Sequence, residues 1–201
     1  MVVAAGSGER FGGPKQYEPL GGRRVVDWSV EAAAAVCDGV VLVVPPDLSG
    51  EPEPDVAAVV GGGLTRSGSV RAGLAAVPAD ADVIVVHDAA RPLASVRLWE
   101  TIVASVAVGG SDAAIPVVAV RDTLREVGGG TVDRARFVVV QTPQAFRADL
   151  LRRAHEGDPE ATDDAALVEA IGGKVITIEG EPGNLKVTTP GDLDIAAALL
   201  P

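Results

Sequence analysis

The chain is expected to fold as an α/β sandwich of three layers, a mostly parallel sheet between two sets of helices, with one β-hairpin arm protruding from it. Two patterns carry this expectation. Apolar runs of strand length alternate with Ala-rich stretches whose apolar residues recur at helical spacing. The runs are continuous rather than alternating, as in strands buried on both faces of a helix-covered parallel sheet. In chain order the strand candidates are VVAA (2–5), VVLVV (40–44), VAAVV (56–60), DVIVVH (82–87), DAAIPVVAV (112–120), FVVVQ (137–141) and KVITIE (174–179). Helical stretches lie between them: VVDWSVEAAAAV from Val25, RSGSVRAGLAAV from Arg66 and SVRLWETIVASVAV from Ser95. Strand, helix and strand in repetition make a doubly wound, Rossmann-like arrangement, in which ligands gather at the carboxyl ends of the strands.

One segment departs from the rhythm. VRDTLREVGGGTVDRARF (120–137) has a Gly-Gly-Gly turn between short, charged, alternating stretches, which reads as a hairpin with too little apolar surface to be core. Such an arm, at about 120–138, covers either its own active site or a neighbouring subunit.

The chain has 201 residues, a length expected for a single domain over 1–201. Hydrophobic residues make up 47% and aromatic ones 3%, so the core must be packed from Ala, Val, Leu and Ile. The lone Cys37 excludes an intrachain disulfide and a cysteine-cluster metal site, and its apolar setting makes it a core thiol. A net charge of −11 argues against nucleic-acid binding. No apolar run approaches the ~20 residues that cross a bilayer, and no signal-like segment opens the chain, so a soluble cytoplasmic protein is expected. Lysine occurs only three times, at Lys15, Lys174 and Lys186.

The first strand runs into AAGSGERFGGPKQY (4–17), a loop of four glycines that also holds Arg10 and Lys15. A glycine-rich loop at this place lets backbone N–H groups converge on a phosphate. The dinucleotide-binding spacing fails, because Phe11 stands where the third glycine belongs. The P-loop spacing fails too, because Gln16 follows Lys15 where a hydroxyl is needed for Mg²⁺. Asp88 directly follows an apolar strand, so its carboxylate emerges where ligands bind; a local ion pair with Arg91 is the competing reading. Ser69 could hydrogen-bond a base or begin a helix. His87 reads as a strand-end residue oriented by its neighbours, Lys174 as solvent-facing, and Thr162-Asp163-Asp164 as a helix start with acids on the dipole.

The order G-x-G-x-R-x-G-x-P-K resembles the signature loop of nucleotidyltransferases. HDAARP (87–92), QTPQAF (141–146), TDDAALVEAIGGKV (162–175) and NLKVTTPGDL (184–193) follow in order. Along essentially the whole chain these resemble the 2-C-methyl-D-erythritol 4-phosphate cytidylyltransferase family. The resemblance implies a sandwich of the nucleotide-diphospho-sugar transferase type, CTP as co-substrate and Mg²⁺ or another divalent cation. It also implies a homodimer whose hairpin arm crosses to the partner. Residue by residue, it implies that Arg10, Lys15 and Lys186 stabilise the reacting phosphates. Ala4, Ala5, Gly6, Gly8, Gly63, Ser69, Asp88 and Ala89 are implied as CTP contacts, with Gly62 allowing close backbone approach. Asp88 is left open between metal and ribose. Thr123, Arg134, Thr142 and Arg91 are implied for methylerythritol phosphate. Leu64 and Gly183 stand where some members carry acids. A cytidylyltransferase for another polyol phosphate, such as ribitol phosphate, and a non-catalytic nucleotide-binding module are the competing readings.

Overall fold

The computed structural model describes residues 1–200. In chain order the strands are β1 (Val2–Val3), β2 (Pro19–Leu20), β3 (Arg23–Arg24), β4 (Val41–Val44), β5 (Ala58–Gly61), β6 (Val83–Asp88), β7 (Ala113–Ala119), β8 (Leu124–Arg125), β9 (Thr131–Val132), β10 (Val138–Val140), β11 (Gln144–Arg147) and β12 (Val175–Glu179). The helices are α1 (Val25–Ala34), α2 (Arg66–Ala76), α3 (Val96–Ala107), α4 (Ala148–Ala154), α5 (Asp164–Ala170) and α6 (Pro190–Leu199).

The main sheet runs β10-β7-β11-β6-β1-β4-β5, with β12 added alongside β7. β6, β1, β4 and β5 pair in parallel, as do β12 and β7, while β11 is antiparallel to both β6 and β7. The mostly parallel α/β fold read from the sequence is therefore the one observed. β10 and β11 lie along the same strand, β7, in two registers. Val140 faces Val117 and Ala145 faces Ala114, so two extra residues of the Gln141–Pro143 stretch are accommodated between them.

Alternate residues of each strand feed opposite cores, as the two-residue period of a pleated strand requires. Leu42, Val85 and Ala145 face α1 and α3, where Val26, Val30, Leu98, Trp99 and Ile102 complete one layer. Val41, Ile84, Val86 and Phe146 face the other side, against Val70 and Leu74 of α2, Leu151 of α4 and Val168 of α5. Each Val, Leu, Ile or Phe among them contributes roughly 1.5–3 kcal/mol on full burial. Cys37 is only half-buried at the edge of the first layer, a correction to its reading as a core residue, and burial still raises its thiol pKa.

The helix starts follow local chemistry. Thr65 and Ser95 cap α2 and α3 with their hydroxyls. The stretch TTPGD begins α6 as a capping box, with Pro190 in the first turn and Asp192 reaching back to the backbone N–H of Thr189 at 2.7 Å. Asp163, not Thr162, caps α5 through the N–H of Ala165. The hairpin arm exists as β8 paired with β9, and Phe137, Val138 and Val139 at its return are about half-exposed.

Candidate active site

The carboxyl ends of β1, β5 and β6 open into one cavity of about 600 Å³. The loop after β1 forms its first wall. Gly8 is the hub of that loop: its carbonyl accepts from Phe11, Gly12 and Gly13 at 2.8, 3.0 and 3.3 Å. Its φ is +70°, and a Cβ there would lie 1.7 Å from the Gly13 carbonyl oxygen, so no other residue fits. Gln16 closes the loop from below. Its buried amide donates to the carbonyls of Ala4 at 2.7 Å and Gly6 at 3.1 Å, which explains a glutamine beside Lys15.

The second wall comes from β5 and α2. At Gly62 a Cβ would lie 2.4 Å from that of Ala5, so the two loops can approach only through glycine. Ser69 sits a turn inside α2 and is buried, and its hydroxyl donates to the Thr65 carbonyl at 2.9 Å. Thr65 is the cap, so the helix-start reading of Ser69 does not hold.

Asp88 stands at the end of β6, between two cations. Lys186 Nζ reaches its Oδ2 at 2.6 Å, and Arg66 Nε lies 3.4 Å from its Oδ1. Burial alone would raise its pKa; Lys186 and Arg66 reverse that and hold the carboxyl well below the usual range. The competing reading, a local ion pair with Arg91, is not observed among the described residues: the ion-pair partners of Asp88 are Lys186 and Arg66. Lys15 lies in the same field: burial, then the charges of Lys186 and Arg10, lower its pKa. Lys186 belongs to no strand; its segment is held by Val187 N–H donating to Ala90 O at 2.8 Å.

Beneath this floor runs a directed chain of hydrogen bonds. Burial pushes the His87 imidazole pKa down to about 3, so the ring is neutral. Its Nε2 faces the Arg91 carbonyl at 3.2 Å and must carry the proton, because a carbonyl only accepts. Nδ1 is then an acceptor for the Thr142 hydroxyl at 3.2 Å, and that hydroxyl accepts the Asp88 backbone N–H at 3.0 Å. Arg91 donates to the carbonyls of Asn184 at 2.8 Å and Val140 at 3.3 Å. It thereby ties the turn after Asp88 to the Lys186 segment and to the root of the arm.

Arg10, Lys15, Lys186, Ala4, Ala5, Gly6, Gly8, Gly63, Ser69, Asp88 and Ala89 all line the cavity. Thr123, Arg134, Thr142 and Arg91 do not. Thr142 and Arg91 lie behind its floor, while Thr123 and Arg134 are exposed on the arm, where Arg134 donates to the Arg121 carbonyl. Two residues escaped the sequence reading. Gln16 figures in the sequence only as the residue that breaks the P-loop spacing, and Arg66 only as the first residue of a helical stretch.

A cavity with a glycine loop and three convergent cations can hold a polyphosphate and stabilise charge that develops on it. A family model described as IspD: 2-C-methyl-D-erythritol 4-phosphate cytidylyltransferase matches residues 1–201. A protein of that name from Nocardia farcinica is 44% identical over 214 residues, covering 100% of this chain and 92% of its own length. The one from Rhodococcus opacus is 45% identical over 215 residues, covering 100% and 93%. The crystal structure of the enzyme of that name from Thermus thermophilus superposes with a TM-score of 0.85 at 37% identity, covering 98% of this chain and 96% of that one. With loop, cavity and whole-chain similarity in agreement, this chain belongs to the 2-C-methyl-D-erythritol 4-phosphate cytidylyltransferase family.

Proposed function

We propose that the cavity transfers CMP from CTP to 2-C-methyl-D-erythritol 4-phosphate, and that the catalytic charge comes from Arg10, Lys15 and Lys186. A phosphate oxygen of the alcohol phosphate attacks the α-phosphorus of CTP. The bond from that phosphorus to the β-phosphate oxygen breaks, pyrophosphate leaves, and a new phosphoanhydride joins CMP to the alcohol. Two anions must meet, so cations fixed in advance matter more than a base. A phosphate monoester, with a second pKa near ~6, is already a nucleophile. Neutral His87, buried beneath Asp88, is not needed as a general base. The single observation that carries this reading is the convergence of Arg10, Lys15 and Lys186 on the cavity that also holds the Gly8 loop and Asp88.

A divalent cation fits the donor set. Among the described residues no cluster of three or more His, Cys, Asp or Glu side chains could hold a metal alone. Asp88 offers one ionised carboxylate, which suits Mg²⁺, an ion commonly held by one or two carboxylates plus substrate phosphates and water. When bound, such an ion supplies Lewis-acid neutralisation of the phosphate oxygens. Ser69 and the backbone at Gly63 read the pyrimidine edge.

Thr123 and Arg134 serve the alcohol phosphate in the partner subunit of a homodimer. This is supported by their absence from the lining of their own chain's cavity and by the half-exposed Phe137, Val138 and Val139 at the root of the arm. Among the described residues no helix is long and apolar enough to cross a membrane, and the same reading puts the chain in the cytoplasm with its nucleotide.

Pyrophosphate release tests the reading. Each of the four NTPs is offered with methylerythritol phosphate, and CTP also with ribitol phosphate. Release only with CTP and methylerythritol phosphate is expected. Equal turnover with ATP or GTP, or undiminished activity in excess chelator, overturns it.

A further inference from the structure

Arg66 is the first residue of α2, and it faces two carboxylates of different kinds. Its Nη1 donates to Asp164 Oδ2 at 2.7 Å, and its Nε leans on Asp88 Oδ1 at 3.4 Å. Asp164 is fully buried in the first turn of α5, where its other oxygen meets His155 Nε2 at 3.0 Å. A buried carboxylate is tolerated only with such partners. This acid of the first turn, where the sequence reading put acids on the helix dipole, is thus also a fixed anchor.

The segment between α4 and α5 reinforces the anchor along the whole start of α2. Thr65 donates to Glu160 at 2.9 Å, and Ser67 and Ala161 exchange two hydrogen bonds at 3.1 Å. Arg71 donates to the Pro159 carbonyl at 2.7 Å and to Glu160 at 3.0 Å. The first turn of α2, which carries Ser69 into the cavity, is therefore set from outside the cavity.

Asp88 thus has two unequal partners. Lys186 is 39% exposed at its side chain, on a flexible stem, and a phosphate can take its ammonium. Arg66 is 24% exposed and held at its far end by Asp164. We propose that Arg66 is a positioning residue: anchored by the Asp164–His155 pair, it holds the Asp88 carboxylate in place while Lys186 moves from Asp88 to the phosphates of the nucleotide. Without Arg66, the carboxylate is free to follow the lysine and keep it from the phosphates. The inference rests on the nucleotidyl transfer proposed above.

Its test is a pair of double-mutant cycles on kcat for pyrophosphate release, with the thermal midpoint of each variant measured in parallel. Arg66→Gln is expected to lower kcat roughly tenfold, the scale on which contacting residues couple. Because Arg66 acts through Asp88, Arg66→Gln with Asp88→Asn should be no slower than Asp88→Asn alone. Asp164→Asn should reproduce part of the loss and add nothing to Arg66→Gln. A merely structural role gives lowered thermal midpoints with losses that multiply in both doubles, and that outcome overturns the proposal. So does wild-type kcat in Arg66→Gln. If Arg66→Gln does not fold, Arg66→Lys carries both cycles, since one ammonium cannot span both carboxylates. A wild-type chain that releases no pyrophosphate from CTP and methylerythritol phosphate overturns the reaction itself. An active wild type with multiplicative doubles overturns only the role of Arg66.

Discussion

The glycine loop and the hairpin arm each present an arginine to solvent, Arg10 and Arg134, yet the chain supports them differently. Behind Arg10 the loop is closed on Gly8 and pinned by Gln16, and its neighbours Lys15, Lys186 and Asp88 stand in one electrostatic field. Arg134 sits on a short helical turn after a hairpin of two residue pairs, and its contact is a carbonyl of the same arm. The cavity is lined by Arg10 and Lys15 of the loop, whereas Thr123 and Arg134 of the arm are not among its lining residues. The arm is charged along its flanks and apolar at its root, where Phe137, Val138 and Val139 are about half-exposed.

The largest effect should come from the self-contained half. Lys15→Ala is expected to lower kcat about 10²–10³-fold with a smaller change in the KM for CTP, as loss of a transition-state contact does. Steady-state pyrophosphate release measures it, and a change confined to KM would make the loop a binding clamp instead. The arm is tested by mixing. Arg134→Ala and Lys15→Ala chains, each nearly inactive, should recover about a quarter of wild-type activity after random subunit exchange, because half the dimers are mixed and each mixed dimer has one intact site. Exchange without recovery would show that the arm serves its own chain.

Much of the nucleotide half was legible because its chemistry is local. Glycine spacing announces a loop around an anion, and an acid at the end of an apolar strand points to the ligand end of a sheet. Arg66 was not legible, since its anchor Asp164 lies 98 residues further along and both residues have ordinary roles at helix starts. β11 escaped as a strand for a related reason. Its apolar content is Ala145 and Phe146, preceded by Pro143 and Gln144, and only pairing on both sides makes it central. The family motifs supplied Lys186, which the residues alone would leave as an edge or surface residue.

Two smaller effects concern the floor that both halves share through Arg91. Thr142→Val removes the acceptor for the Asp88 N–H and the donor to His87. It should cost about 1–3 kcal/mol in denaturant unfolding, the usual penalty for an orphaned buried polar group. A cost near zero would mean that the hydroxyl is free for substrate. The His87 effect is visible only in acid. Its folded pKa, lowered to about 3, lies below the ordinary histidine value near ~6.5, so the unfolded chain binds the extra proton. Stability from this group is complete above ~6.5 and is lost as pH falls from there toward 3, with a slope of up to about 1.4 kcal/mol per pH unit. His87→Gln should flatten that part of the stability profile, measured as the urea midpoint between pH 6.5 and 4. An unchanged slope would place the proton elsewhere.

The tether supplied by Gln16 divides the response to ionic strength. Its amide is neutral, and so are the two carbonyls it grips, so dissolved ions leave the curl of the loop intact. The cations on that curl have no such protection: Arg10 is exposed and Lys15 only half-buried, so their pull on a polyphosphate is shielded over a Debye length of about 8 Å in physiological salt. Added salt should therefore loosen the grip on the nucleotide while the shape that receives it persists, so that dilution into low-salt buffer restores binding at once, with no refolding delay.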